Sequence, residues 1–435
     1  MHRWLPAGVA VLLATRVLGA PDFEALSRKQ QAPAAADRAW LHQHAELSLR
    51  EFETQKYLRR ALAEIPGVRL IDGDWGTGVV AVLSGAKARP LVAWRTDMDA
   101  LPIRETTGLP FACTREDTLS GRTVGVMHAC GHDCHMTIAL GLMRLLSEVR
   151  DELPGSVLLI AEPAEEIGAG ATSLLEAGLF DSTGTPDCAL ALHVHPTLPF
   201  GQVGSCPGWA TGNVDGFALT VRGEGGHGAY PHRGVDPVTL AAQMILAFPA
   251  IVAREIDVNR GAVISVGSIH GGSKSNVIPD EITMEATVRT RDDATRDLIR
   301  QKIERTVRGL AVAAGAPEPE LEYYLGTAAG YNNPELVAQC REVFRRVVGG
   351  ENEVTYEPAM GGEDFGYFSQ RVPGFQFRLG VAPPGVEGMS LHRPDFNPDE
   401  RVLGLGIHLA AELIWDQLER RGTAGDAERS RTGRR

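Results

Sequence analysis

At 435 residues the chain is too long for one simple core, and at roughly 150 residues per domain it should divide into two or three units, of which two is the simplest reading. Hydrophobic content of 43% with 23% charged residues is that of a globular protein. The formal charge of −12 is spread without long like-charge runs, which argues against nucleic acid as a partner.

His2 and Arg3 precede the apolar run "WLPAGVAVLLAT", and Gly19 and Ala20 follow, a pattern similar to a secretory signal peptide over residues 1–20. Export to the periplasm or beyond is the expectation, with the cytoplasm as the alternative, since Arg16 and Pro21 fit the pattern poorly. No later stretch reads as approaching the ~20 apolar residues of a spanning helix, so the mature protein is expected to have no membrane partner. Residues 34–64 carry Trp40, Leu47, Phe52, Leu58 and Leu62 at loose helical spacing. Strand-like runs follow at 78–84 and 91–96, then a helix at 136–149, a strand at 156–161, a helix near 170–178 and a strand at 189–194. Strands alternating with helices predict an α/β fold with a mostly parallel sheet covered on both faces.

Beyond Gly208 the rhythm becomes strand 214–222, helix 236–254, strands 262–269 and 281–290, helix 293–314 and strand 319–325, the βαββαβ order of a ferredoxin-like unit. Helix and strand then alternate again, ending in a long helix from about 400. The expected division is a first part of the main domain at 21–208, an inserted domain at 209–326 and a second part at 327–420. Residues 421–435, polar and basic, read as a solvated tail. The cysteines at 113, 130, 134, 188, 206 and 340 show no small-scaffold disulfide framework. Burial in the core is the default for Cys188 and Cys340.

In an open α/β sheet, ligands bind beyond the carboxyl ends of the strands. Here "LVAWRT" runs into Asp97 and Asp99, "SVLLIA" into Glu162, Glu165 and Glu166, and "ALALHV" delivers His193 and His195, while "MHACGHDCHM" (127–136) precedes a helix. Cys130 and His132, two apart, would share one side of an extended segment and could reach one metal. His128, Cys134 and His135 compete for that role, and composition does not separate them.

The segments "WLHQHAELSLREFET", "TDMDALP", "MHACGHDCHM", "EPAEE", "ALHVHP", "GEGGHGAYPH", "SNVIPDEITMEATVRT", "GGEDFGYF" and "SLHRPDFNPDE" together resemble, in order and spacing, the M20 metallopeptidase superfamily, and within it the amidohydrolases that act on hippurate, N-acyl-amino acids and auxin conjugates. The resemblance covers roughly residues 35–415. It implies a binuclear metallohydrolase domain and makes the inserted unit a lid and dimerisation domain. It also implies two divalent ions per subunit, held by Cys130, His132, Glu166, His193 and His392, with zinc or manganese expected and cobalt or nickel able to substitute. By the same resemblance Glu165 is the general base, Asp99 (rather than Asp97) the orienting acid, and His227 the oxyanion stabiliser. Asn276 and Arg289 become substrate binders, Arg289 being suited to a carboxylate. His128, Asp133 and His135 then orient ligands or pack.

Departures from the pattern are Glu162 for glutamine, Cys134 for glycine, Met136 for threonine and Asn397 for aspartate. They bear on metal preference and pocket polarity, and Cys134 could oxidise onto Cys130. The implied reaction is hydrolysis of an N-acyl-amino acid to a carboxylic acid and a free amino acid by a homodimer. The alternatives are a dipeptidase or carboxypeptidase on short peptides, and a catalytically silent metal- or ligand-binding relative.

Overall fold

Apolar runs such as Val79–Ser84 and Ser156–Glu162 have almost no polar position to turn toward water, so a sheet built from them must be covered on both sides. A computed structural model describes residues 20–386 and 388–432. The expected export signal, apart from Ala20, lies outside the described residues.

The large sheet has eight strands in the order Val68–Ile71, Val79–Ser84, Ser156–Glu162, Leu91–Asp97, Cys188–Pro199, Gly374–Ala382, Val203–Ser205 and Glu353–Thr355. Its four central strands, from Ser156–Glu162 to Gly374–Ala382, run parallel. Antiparallel pairings lie toward the two edges. Alternate residues of one strand serve opposite faces: Val79, Ala81 and Leu83 join the larger apolar cluster, Val80 and Val82 the cluster on the other side. Helix His132–Glu148 is buried except at Arg144 and Glu148, because it lies in the larger cluster with the last helix. Gly141 permits that packing; a Cβ there would collide with Ile407.

A second sheet is entirely antiparallel, in the order Ala262–His270, Glu281–Thr290, Asn213–Arg222, Glu320–Leu325. Helices Pro237–Glu255 and Asp293–Ala314 pack with it around Phe217, Phe248, Met284 and Ile303. Along the chain the order is strand, helix, strand, strand, helix, strand. Asp236 caps the first helix by accepting from the Val238 N–H at 2.9 Å, and Asp292 caps the second by accepting from the Thr295 N–H at 2.8 Å.

Two expectations change. Helix Pro237–Glu255 is long and apolar enough, by length and composition, to cross a membrane, contrary to the reading that no such stretch follows the N-terminus. Gln243 and Pro249 interrupt its apolar run in the sequence. Its inner side, with Leu240, Met244, Phe248 and Ile251, packs in the second core, while Leu246 on the outer side is 76% exposed. The last helix spans Val402–Thr432 and continues through most of the expected tail. Extending a helix already nucleated and packed needs only one residue fixed per hydrogen bond gained, and the Ala, Glu and Arg of that stretch favour it.

Candidate metal centre

The parallel strands discharge their polar residues at one edge. Leu91–Asp97 leads to Asp99, Ser156–Glu162 leads to a single 3-10 turn at Glu165–Ile167, and Cys188–Pro199 carries His193. Ala164 enters that turn at φ 55°, a strained value for a residue with a Cβ, and the carboxylate of Glu51 accepts its N–H at 2.8 Å. His392 arrives from the last loop, where its N–H donates to the Ala129 carbonyl at 2.9 Å.

Cys130 and His132 come together by a different route from the expected extended segment. Cys130 lies in a turn, Gly131 takes φ 84°, and His132 opens the helix. A Cβ at Gly131 would stand 2.5 Å from the Val194 side chain, so glycine is required twice over.

Cys130 Sγ lies 3.5 Å from His193 Nε2 and 3.3 Å from His392 Nε2. Glu166 Oε1 lies 3.6 Å from His392 Nε2 and 3.8 Å from His132 Nε2, while Glu165 Oε2 is 3.9 Å from His132 Nε2. Three overlapping donor sets result from these atoms, Cys130–His132–His193, Cys130–Glu166–His392 and His132–Glu165–Glu166, each with ligand atoms within 4.8 Å of one another. His132 donates Nδ1–H to the Asp99 carbonyl at 2.8 Å, and His193 donates Nδ1–H to the Val194 carbonyl at 2.7 Å. Each ring therefore turns its Nε2 inward, the atom a cation would take. His132 Nε2 and Glu166 Oε1 are buried with no hydrogen-bond partner. Buried polar atoms left without partners are costly, and a divalent cation satisfies both at once. Burial pushes the Cys130 thiol well above its ordinary value; a bound cation reverses that preference.

The competing ligands separate on geometry. His135 uses both ring nitrogens, donating to Asp97 Oδ1 at 2.6 Å and accepting the Val194 N–H at 2.9 Å. Asp97, His132 and His135 also form a close group, but that direct hydrogen bond leaves no space for an ion. Asp133 accepts from Arg38 at 3.1 Å and from His42 at 3.0 Å. Cys134 belongs to the hydrophobic core, and all six cysteines are free thiols. His128 is buried without a partner on either nitrogen among the described residues, and burial pushes it down to about 4. Asp99 Oδ2 accepts from Ser48 at 2.6 Å and from the Glu166 N–H at 3.1 Å, while Asp99 Oδ1 accepts from the Glu165 N–H at 3.1 Å.

A sequence profile of peptidase family M20/M25/M40 matches residues 93–416. The chain belongs to that family. It is 37% identical over 387 residues to an N-acetyldiaminopimelate deacetylase of Geobacillus sp. (strain WCH70), covering 88% of this chain and 98% of the relative. An N-acetylcysteine deacetylase of Bacillus subtilis (strain 168) is 36% identical over 380 residues, 87% of this chain and 95% of the relative. The crystal structure of a dinuclear metal-binding M20 peptidase from Bacillus subtilis superposes with a TM-score of 0.77 at 33% identity, covering 90% of this chain and 99% of that one. This M20 protein is thus an amidohydrolase, a metal-binding enzyme acting on amide bonds.

The M20 site contains residues for which the sequence assigned no role. Arg95, fully buried on its strand, pairs with Asp97 and Glu162 at 2.6 Å, Asp364 at 2.9 Å and Glu363 at 3.1 Å. Glu162 is therefore held by Arg95 rather than offered to a metal. A charged residue inside an apolar strand was the available signal, since a buried guanidinium requires partners. Glu165 stands close to Glu363 and Asp364; burial and then those two charges push its carboxyl well above the ordinary range.

A cavity of about 940 Å³ is lined by Cys130, Glu165, Glu166, His193 and His392, together with Arg289 from the second sheet. His227 and Asn276 are not among its lining residues. They lie side by side on an exposed two-stranded ribbon, where the Gly228 N–H donates to the Asn276 carbonyl at 2.9 Å.

Proposed function

We propose that this M20 amidohydrolase removes small acyl groups, acetyl foremost, from the nitrogen of amino acids that keep a free α-carboxylate. The observation that carries the reading is Glu165, which shares a cavity with the unpartnered oxygen of Glu166 and with Arg289, and stands 3.9 Å from the unpartnered Nε2 of His132. The deacetylase names of the relatives support acetyl ahead of the benzoyl group of hippurate. Cys130, His132, Glu166, His193 and His392 would hold two divalent ions, whose chemistry is to acidify a water and polarise the amide carbonyl. Glu165 accepts the water's proton and returns it to the leaving nitrogen. Arg289 pairs with the α-carboxylate through two parallel N–H donors.

Homodimer formation is part of the proposal. Its support is the outer side of helix Pro237–Glu255, uncharged from Val238 to Ala253, beside the edge strand Ala262–His270, and the exposed His227–Asn276 ribbon, which would complete the site of a partner. Export rests on the N-terminal sequence alone.

The test uses chelator-stripped protein reloaded separately with zinc, manganese, cobalt or nickel and assayed on N-acetyl-amino acids, hippurate and dipeptides. Fastest turnover of N-acetyl-amino acids is expected. Preference for dipeptides would make it a peptidase, and no turnover in any metal form would make it a binding protein.

A further inference from the structure

The buried arginines of this chain are matched by carboxylates, Arg95 by four and Arg296 by Asp215 at 2.9 Å, whereas two half-buried arginines of the cavity wall are not. The candidate cavity breaks that pattern. It is lined by Arg289 and also by Arg378, and among the described residues neither forms an ion pair.

Arg378 lies on strand Gly374–Ala382 in direct register with His193 on the neighbouring parallel strand. Partners in register share a face of the sheet, so Arg378 stands on the metal-ligand side. Its guanidinium lies 5.8 Å from the centre of the Tyr356 ring, and Tyr356 also lines the cavity. Burial and the charge of Arg378 together push the nearby His195 down to about 4. The cavity wall includes Glu357 and Glu363, yet no carboxylate of the described residues stands within 4.0 Å of the Arg378 guanidinium, so its charge has no direct partner beside a centre suited to cations. An anion brought into the cavity supplies one. Arg289 accounts for one carboxylate, and Arg378 remains.

Resting on the reading of the site as an N-acyl-amino-acid hydrolase, we infer that Arg378 is a specificity-determining residue that receives a second carboxylate of the substrate, making the preferred substrate a dianion. That carboxylate can belong to the amino-acid side chain or to the far end of the acyl group. In both cases it pairs with the Arg378 guanidinium as a charged, directional contact that the corresponding primary amide cannot reproduce.

The experiment measures kcat/KM of the metal-loaded protein for two matched pairs: N-acetyl-L-glutamate against N-acetyl-L-glutamine, and N-succinyl-L-alanine against its terminal amide. At least about a tenfold preference for the acid of one pair is expected, and which pair shows it locates the second carboxylate. Arg378→Met should abolish that preference through a rise in KM for the acid, leaving the amide's constants within about twofold, while Arg378→Lys should retain part of it. Continued turnover of the amides shows that the variant is folded. Equal rates for acid and amide in both pairs would overturn the inference and leave the hydrolase reading intact, as would a preference that survives in Arg378→Met. If Arg378 merely braces Tyr356 or balances Glu357 on the cavity wall, acid and amide will fall together, which also overturns it. No turnover of either pair or of neutral N-acetyl-amino acids overturns both readings.

Discussion

The Asp99 carboxylate accepts the backbone N–H of Glu165 at 3.1 Å, which ties the proposed base to the same acid that stands behind His132. The neighbouring N–H of Glu166 goes to the other oxygen of Asp99. One side chain therefore orients the turn carrying the proposed base and a proposed metal ligand, and sits 3.4 Å from His132 Nδ1. Asp99→Ala should weaken metal binding by roughly 10- to 100-fold, the scale for partners that orient metal ligands. Titrating stripped protein with a competing chelator measures it. Wild-type affinity would mean that the turn holds its shape without Asp99.

The two adjacent glutamates should respond differently. Glu165→Gln is expected to keep its metal and lose at least ~10²-fold in kcat, the usual scale for a missing general base. Glu166→Gln should lose metal, because a neutral amide replaces a ligand whose Oε1 is buried and unpartnered. Metal analysis beside steady-state kinetics decides between them; the reverse outcome exchanges their roles.

Cys130→Ala should release metal on dialysis, and Cys134→Ala should not. Cys130 Sγ belongs to two of the donor sets, whereas Cys134, a residue of the helix itself, is packed in the core. Equal metal loss in the two variants would contradict the assignment.

The parts of this site legible in the sequence were those in which a residue and its neighbours along the chain share a purpose. Apolar runs ending in acids or histidines marked the strand ends, and Glu165, Glu166 and His193 followed. The meeting of Cys130 with His132 was anticipated for an incorrect reason, because nothing in the spacing shows that Gly131 adopts a left-handed turn. Arg95 stood out as a charge inside an apolar strand, but its partners were not legible: Asp364 is 269 positions away, and only the folded sheet makes them neighbours. Arg378 was hidden in the same way, since its register with His193 pairs strands separated by the whole second sheet. Asn276 and His227 could be placed together on no local pattern, as they meet across a two-stranded ribbon.

That ribbon leads to the prediction about assembly. His227 and Asn276 are exposed and lie outside the lining of the cavity in their own chain. A two-fold dimer would let each ribbon reach the other subunit's site, and symmetry makes the exchange reciprocal. Homodimers of Glu165→Ala and of His227→Ala should each be nearly inactive. In a mixed dimer of the two, one site has lost both groups, while the other combines an intact Glu165 with an intact His227. Random assortment makes about half of all dimers mixed, each with one working site in two, so co-expression should recover roughly a quarter of wild-type activity. Mixed dimers isolated through two different tags should reach about half. If His227 acts within its own chain, every site in the mixed dimer lacks one of the two groups. Purified mixed dimers no more active than the separate variants would therefore exclude action across the interface.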